Sequence, residues 1–293
     1  MDLSSPPNAA EPIRLIRAFA QLFRWPIGLI AAAAGCATMF VLEAATPVSQ
    51  YLLTAIVLAC MTWAACAIND YWDIEKDRID HPERPLPSGA LSRSQAWWAA
   101  VIGFSSAVVA AIPLGLYPLL LVMFSSGLLW HYSHLLRYSG ILGNLIVAFI
   151  ITDLILLGGL VTHRPFALLY PACFLFIYAL AKEIIWDVHD AAGDRSLGIV
   201  TLANHWGDRV ALAVAWSLLG GLLVSLPVAL YRLPWQHPLA FALFALLLLV
   251  SLGVGLGRYQ RQRSLEAYQN FIFWERFSMV FGVLALFAAA PVS

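Results

Sequence analysis

The sequence predicts an all-α membrane protein: nine transmembrane helices in a bundle around a central cavity, with two cytoplasmic Asp-rich loops. Three observations carry that prediction. Of the 293 residues, 61% are hydrophobic and only 12% charged, where a soluble domain carries about 25% charge; mean hydropathy is +0.79. The apolar residues come in blocks long enough to cross a bilayer. The basic residues collect between alternate blocks, which is how a polytopic helical protein fixes its orientation.

Residues 1–12, rich in Ser, Pro and Ala, read as a disordered N-terminal tail, and 13–293 as a single polytopic domain. Arg24 and Pro26 introduce the first span, 26–43, which simply continues and carries no signal-peptide pattern. Span 50–68 runs into the first acidic loop, and spans 95–113 and 115–135 follow as a pair. Span 141–161 is apolar apart from Asn144 and Asp153, and 166–185 leads into the second acidic loop. Spans 209–230, 238–257 and 271–290 close the chain. With the N-terminus inside, 15 of the 17 Lys and Arg lie on the cytoplasmic side or at its helix ends, and only Arg164 and Arg232 outside. The chain is therefore read as a multi-pass integral membrane protein, of the cell inner membrane if bacterial. Cys36, Cys60, Cys66 and Cys173 sit inside spans without metal-type pairing and read as small core residues. A net charge of zero points to no nucleic-acid partner.

The acids are not spread evenly. Asp70, Asp73 and Asp77 follow Asn69, and Asp187, Asp190 and Asp194 repeat the same offsets of 0, +3 and +7. On a helix, at roughly 100° per residue, each triad falls within about a 60° arc. Ten of the chain's 17 acids lie in two windows around them, six between Asp70 and Glu83 and four between Glu183 and Asp194. An acidic loop is ordinarily just a solvated one. Here the acids are periodic, the set recurs, and basic residues follow each copy: Arg78 and Arg84 after the first, Arg195 after the second. Repelling carboxylates on one face call for cations between them, and hard divalent ions take oxygen ligands. Guanidinium groups beside them suit phosphate oxygens, so the layout fits a diphosphate. Pro82, Pro85 and Pro87 predict an extended return from the first loop. His189 lies between two acids but off their face, which favours a solvent-facing or supporting role over metal ligation.

Taken together, the two loops resemble those of the UbiA-type intramembrane prenyltransferases. That family carries Asn-Asp-x-x-Asp-x-x-x-Asp after its second span and Asp-x-x-Asp-x-x-x-Asp after its sixth, matching Asn69 to Asp77 and Asp187 to Asp194. The run Arg84-Pro-Leu-Pro-Ser-Gly89 is similar to the family's Arg-Pro-Leu-Pro-x-Gly, and Lys182-Glu-Ile, Gly198 and Thr201 fit the surroundings of its second motif. The family also has a Tyr and a Lys near the end of span four that help hold the diphosphate. Here Tyr132 matches the Tyr, and the basic position falls on Arg137. A second such pair, Tyr178 and Lys182, stacks on one helix face at the end of span six. Both pairs stand as candidates.

The resemblance implies Mg²⁺-dependent transfer of a prenyl group from a polyprenyl diphosphate to a lipophilic or aromatic acceptor, through an allylic carbocation. It implies metal ligation, with two Mg²⁺, by Asp70, Asp73, Asp77, Asp187, Asp190 and Asp194. Catalytic assignments fall on Arg84, Tyr132, Arg137, Tyr178, Lys182, Arg195 and Asp153, and substrate binding on Asn69, Arg24 and Asn144. Asp153, deep in span five, is equally open to a structural hydrogen bond. The motif flanks look closer to members acting on chlorophyll-, tocopherol- or archaeal-lipid-type acceptors than to the 4-hydroxybenzoate branch. Two alternatives remain: internal quenching of the cation by a terpene cyclase of the same fold, and a divalent-cation transporter. The transporter needs acids along a transmembrane path, and here only Asp153 lies deep.

Overall fold

The computed structural model describes residues 10–136, 140–196 and 198–291. The helices are α1 (Ala10–Leu22), α2 (Trp25–Leu42), α3 (Val48–Trp72), α4 (Ile74–Asp80), α5 (Arg93–Ala111), α6 (Leu116–Leu136), α7 (Gly140–Val161), α8 (Leu169–Ser196), α9 (Leu202–Trp206), α10 (Asp208–Arg232), α11 (Pro238–Gln262) and α12 (Leu265–Ala288). Among the described residues no strand occurs, only one isolated bridge between Trp235 and Pro291. All nine apolar blocks coincide with helices: α2, α3, α5 to α8 and α10 to α12. Eight of these are long and apolar enough to cross a membrane. The remaining one, α6, offers the shorter apolar stretch Leu116–His131 over its described residues.

One boundary moves. Residues 10–12, expected in the disordered tail, already belong to α1; residues 1–9 lie outside the described residues. Ala18 and Leu22 of α1 are buried, whereas Ile13 and Ile16 are exposed beside Arg14 and Arg17. A basic helix with one apolar face uncovered suits the membrane interface.

Small residues set the contact between α3 and α5. Ala96, Ala100, Ala107 and Ala111 form one stripe on α5, all fully buried, facing Ala64 and Ala67 of α3. A Cβ on Gly103, in the same stripe, would press on the Ala64 side chain. Between helices in lipid, where apolar burial drives nothing, such close backbone approach is what holds a pair together. The outward face is the reverse: Ile102, Val109, Val224 and Leu239 are largely exposed, a distribution suited to lipid.

The buried side chains form two separate clusters. One joins α8, α10, α11 and α12 around Ile184, Leu252 and Phe271, and the other joins α1, α3, α5 and α6 around Leu22, Ile68 and Phe104. Helices α2 and α7 contribute to both. Between the clusters lies an apolar cavity of about 320 Å³, lined from α2, α3, α6, α7, α8, α11 and α12.

Candidate active site

Each acidic triad is presented differently. The second stands on one continuous helix, because α8 runs to Ser196, well past the expected end of its span. The first does not. Helix α3 stops at Trp72, Asp73 adopts φ −96° and ψ 15°, and α4 begins at Ile74. The backbone bonds nevertheless carry through, with Asp73 N–H on Asn69 O at 2.9 Å and Asp77 N–H on Asp73 O at 2.8 Å. The three carboxylates therefore stay on one side of a bent helix.

After α4 the chain folds into consecutive turns, not the extended return that its prolines predict. Ser88 N–H meets Arg84 O at 3.0 Å and Leu91 N–H meets Pro85 O at 3.0 Å. Leu86 and Leu91 are buried beneath the turns, and burying them outweighs the extended preference before proline. This compaction swings Arg84 back over the triad. Its Nη1 lies 2.7 Å from Asp77 Oδ1 and 3.6 Å from Asp70 Oδ1. Arg24 reaches Asp70 from the other side, Nη2 to Oδ1 at 2.8 Å. Arg24 takes a left-handed backbone, φ 45°, unusual for a non-glycine residue and a strain typical of functional positions. Burial opposes its charge, but Asp70 and Cys66 hold the guanidinium above its ordinary value.

The two triads face each other at one end of the bundle. Lys76 of α4 bridges to the second triad, Nζ lying 3.1 Å from Asp190 Oδ2 and 3.0 Å from Asp194 Oδ1. Burial works against this ammonium, yet the two carboxylates push its pKa up. Asp80 accepts from Gly193 N–H at 3.1 Å. A Cβ at Gly193 would occupy the space of the Asp80 carboxylate, so only glycine lets α4 dock on α8 here. Each triad also has an asparagine donor: Asn69 Nδ2 to Asp73 Oδ2 at 2.7 Å, and Asn144 Nδ2 to Asp187 Oδ2 at 2.8 Å.

Carboxylates outnumber their cations here, and burial, with their mutual repulsion, favours the protonated form of several. Burial pushes Asp73 up to about 6 and raises Asp77; burial and the Asp190 charge push Asp80 up to about 6. Asp77 Oδ2 and Asp194 Oδ2 are buried without a hydrogen-bond partner. Orphaned carboxylate oxygens from two facing triads are a donor set that fits a hard divalent ion. Directly below, the apolar cavity reaches up to Cys66 and Lys182, four residues before Asp70 and five before Asp187.

The model of the UbiA prenyltransferase family matches residues 28–277. The chain belongs to that family. It is 31% identical over 281 residues to a digeranylgeranylglyceryl phosphate synthase of Methanopyrus kandleri, covering 94% of this chain and 99% of that one. With the synthase of the same name from Methanothermobacter thermautotrophicus it shares 36% identity over 173 residues, 58% of this chain and 62% of the other; that match and the one to the Sulfolobus acidocaldarius synthase, at 65%, span just under two thirds of those relatives. Two solved UbiA homologues have the same fold. The apo protein from Aeropyrum pernix K1 gives a TM-score of 0.73 at 17% identity, covering 88% of this chain and 97% of its own. The one from Archaeoglobus fulgidus, bound to GPP and Mg²⁺, gives 0.71 at 14% identity, covering 92% and 99%.

Of the UbiA-type residues read from sequence, the fold brings together both triads, Asn69, Asn144, Arg24 and Arg84. Others stand apart. Arg195 is exposed at the end of α8 without an ion pair among the described residues, and Arg78 is exposed and paired with Glu75 at 2.6 Å. Tyr178 and Lys182 both line the cavity, but each turns toward α12: Tyr178 Oη lies 2.7 Å from Ser278 Oγ, and Lys182 lies 3.1 Å from Glu183 and 3.7 Å from the buried Glu275. The Tyr132 side chain and Arg137 lie outside the described residues. Asp153 is buried on the cavity wall, bonded through Oδ2 to Ser125, with Oδ1 unpartnered.

Sequence reasoning missed Lys76, Asp80, His81 and Glu275. Asp80 was within reach, since it continues the series of the first triad at +10. Of the two roles expected for His189, solvent-facing or supporting, the solvent-facing one does not hold: its ring stacks on Tyr268, centroids 3.3 Å apart.

Proposed function

We propose that this protein is a Mg²⁺-dependent intramembrane prenyltransferase, moving a prenyl group from a polyprenyl diphosphate to a lipophilic or aromatic acceptor. The observation that supports this reading is the meeting of the two acidic triads, bridged by Lys76, at the mouth of an apolar cavity. The diphosphate lies at the mouth and its tail in the cavity. We read α6 as the ninth span, which puts the N-terminus and both triads on the cytoplasmic face, in accord with the distribution of Lys and Arg.

The six Asp of the triads would hold the metal, and Asn69 and Asn144 orient two of the six. Held by these carboxylates, Mg²⁺, two ions by our reading, would supply the positive charge that makes diphosphate a better leaving group. Arg84 and Arg24 stand close enough to exchange a carboxylate oxygen for a phosphate oxygen, and a guanidinium can fork onto two. Lys182, at the top of the cavity, would have to leave Glu183 and Glu275 to meet the departing charge. The apolar walls keep water from the allylic cation until the acceptor captures it and loses a proton.

The test is incubation of the purified protein with Mg²⁺, prenyl diphosphates of several lengths and a panel of acceptors, read by mass spectrometry. Prenylated glyceryl phosphate heads the panel because of the names of the archaeal relatives. A prenylated acceptor, lost with chelator, is the expected result. Cyclised product from diphosphate alone would make the protein a terpene cyclase, and full activity in chelator would remove the metal from the reading.

A further inference from the structure

Two histidines at the cytoplasmic mouth have no part in prenyl transfer as derived above. His81 ends α4, its N–H on Asp77 O at 2.8 Å, and its side chain is buried. Its Nδ1 faces Glu83 Oε1 at 3.8 Å, and its Nε2 faces Asp190 Oδ1 at 3.3 Å. Neither Nε2 nor Oδ1 has a hydrogen-bond partner. His189, one residue before Asp190 on α8, is held flat against Tyr268, with its ring 5.7 Å from that of His81. One ligand atom from each of His81, His189 and Asp190 lies within 4.8 Å of the others. The other oxygen of Asp190 is taken by Lys76 at 3.1 Å, which leaves Oδ1 free to turn toward the imidazoles.

Two imidazoles and one carboxylate are the wrong donors for Mg²⁺ and the right ones for a borderline ion such as Zn²⁺ or Co²⁺. A carboxylate behind the far nitrogen, as Glu83 stands behind Nδ1, favours the tautomer whose near nitrogen is free to ligate. We propose that His81, His189 and Asp190 form a separate site for a borderline divalent ion of the zinc class. Resting on the prenyltransferase reading, we add that filling it inhibits turnover, because it draws Asp190 out of the second triad.

The first test needs no activity. Metal-free full-length protein in detergent is equilibrated with Zn²⁺ in a large excess of Mg²⁺, and retained zinc is counted by mass spectrometry. The expected result is about one Zn²⁺ per chain, reduced at least tenfold in affinity by His81→Gln and by His189→Phe. The phenylalanine keeps the stack on Tyr268 but offers no nitrogen, so folding is preserved. Substituted Co²⁺ should show visible bands of nitrogen ligation that both variants lose. Equal zinc retention by the wild type and both variants would assign the ion to the carboxylates and overturn the site, as would no retention by the wild type. In the second test, zinc should inhibit Mg²⁺-dependent turnover of the wild type and require at least tenfold more for His189→Phe. Equal inhibition of the two would overturn the inhibitory role, and a failure of prenyl transfer itself would leave the zinc counts standing.

Discussion

Lys76 is the residue whose removal tests the architecture most directly. Its ammonium lies 3.0–3.1 Å from two carboxylates of the second triad, and so occupies acids that the proposed function gives to metal. Mg²⁺ must displace it. A hydrogen bond to a charged group nets about 1.5–3 kcal/mol, so releasing Lys76 from one of its two partners sets the scale of the competition. At about 1.4 kcal/mol per tenfold, Lys76→Gln should lower the half-activating Mg²⁺ concentration by roughly 10- to 100-fold. The released ammonium would otherwise meet the diphosphate, so the same variant should raise KM for the prenyl diphosphate. These opposite signs are what a merely structural role would not produce. Initial rates measured across buffered free Mg²⁺, at several diphosphate concentrations, give both numbers. Thermal melts add a check: the metal-free variant should melt below the wild type, since unpairing buried carboxylates costs about 3–5 kcal/mol, and Mg²⁺ should restore most of the difference. An unchanged or higher Mg²⁺ requirement would refute the reasoning.

Three further outcomes are expected. Gly193→Ala should displace the Asp80 carboxylate, loosen α4 from α8 and lower turnover at least tenfold, while membrane insertion stays intact; wild-type activity would show that this docking is dispensable. Asp73 and Asp80 are raised to about 6 in the folded protein, so between about pH 4 and 6 the native state binds more protons than the unfolded chain, and their contribution to stability falls as pH rises through that window. The metal-free protein should accordingly lose melting temperature from about pH 4 to 6, less so as Asp80→Asn or with Mg²⁺ present; an identical slope in all three conditions would contradict this. Asp153→Asn keeps shape and the Ser125 contact but removes the carboxyl. Loss of activity with intact diphosphate release would give Asp153 to acceptor chemistry, and no effect would leave it a structural partner of Ser125.

The apolar blocks were legible because hydropathy is a local property: each coincides with a helix, although α8 runs eleven residues past its block. The triads were legible because a period survives folding, even through the bend at Asp73. What escaped depends on which faces meet. Nothing local tells that Lys76, on the first motif, pairs with acids more than a hundred residues away, or that Lys182 turns to Glu275 on α12. The loop after α4 misled for a related reason. Its prolines state a backbone preference, but the burial of Leu86 and Leu91 decides the path.

The division of the core into two clusters has a consequence for how a product leaves. A lipid whose tail lies below the triads cannot rise through a charged, aqueous mouth, so its way out is sideways into the bilayer. A bundle with one continuous core would have to break its packing to open such a door. This one already has an apolar seam, and at the end that carries the triads it is fastened by a few polar stitches, Lys76 to Asp190 and Asp194, and Asp80 to Gly193. Under the proposed function, metal and diphosphate would compete for the groups that make those contacts. Catalysis and unlatching would then be one event, and the pace of turnover would follow the fluidity of the surrounding lipid.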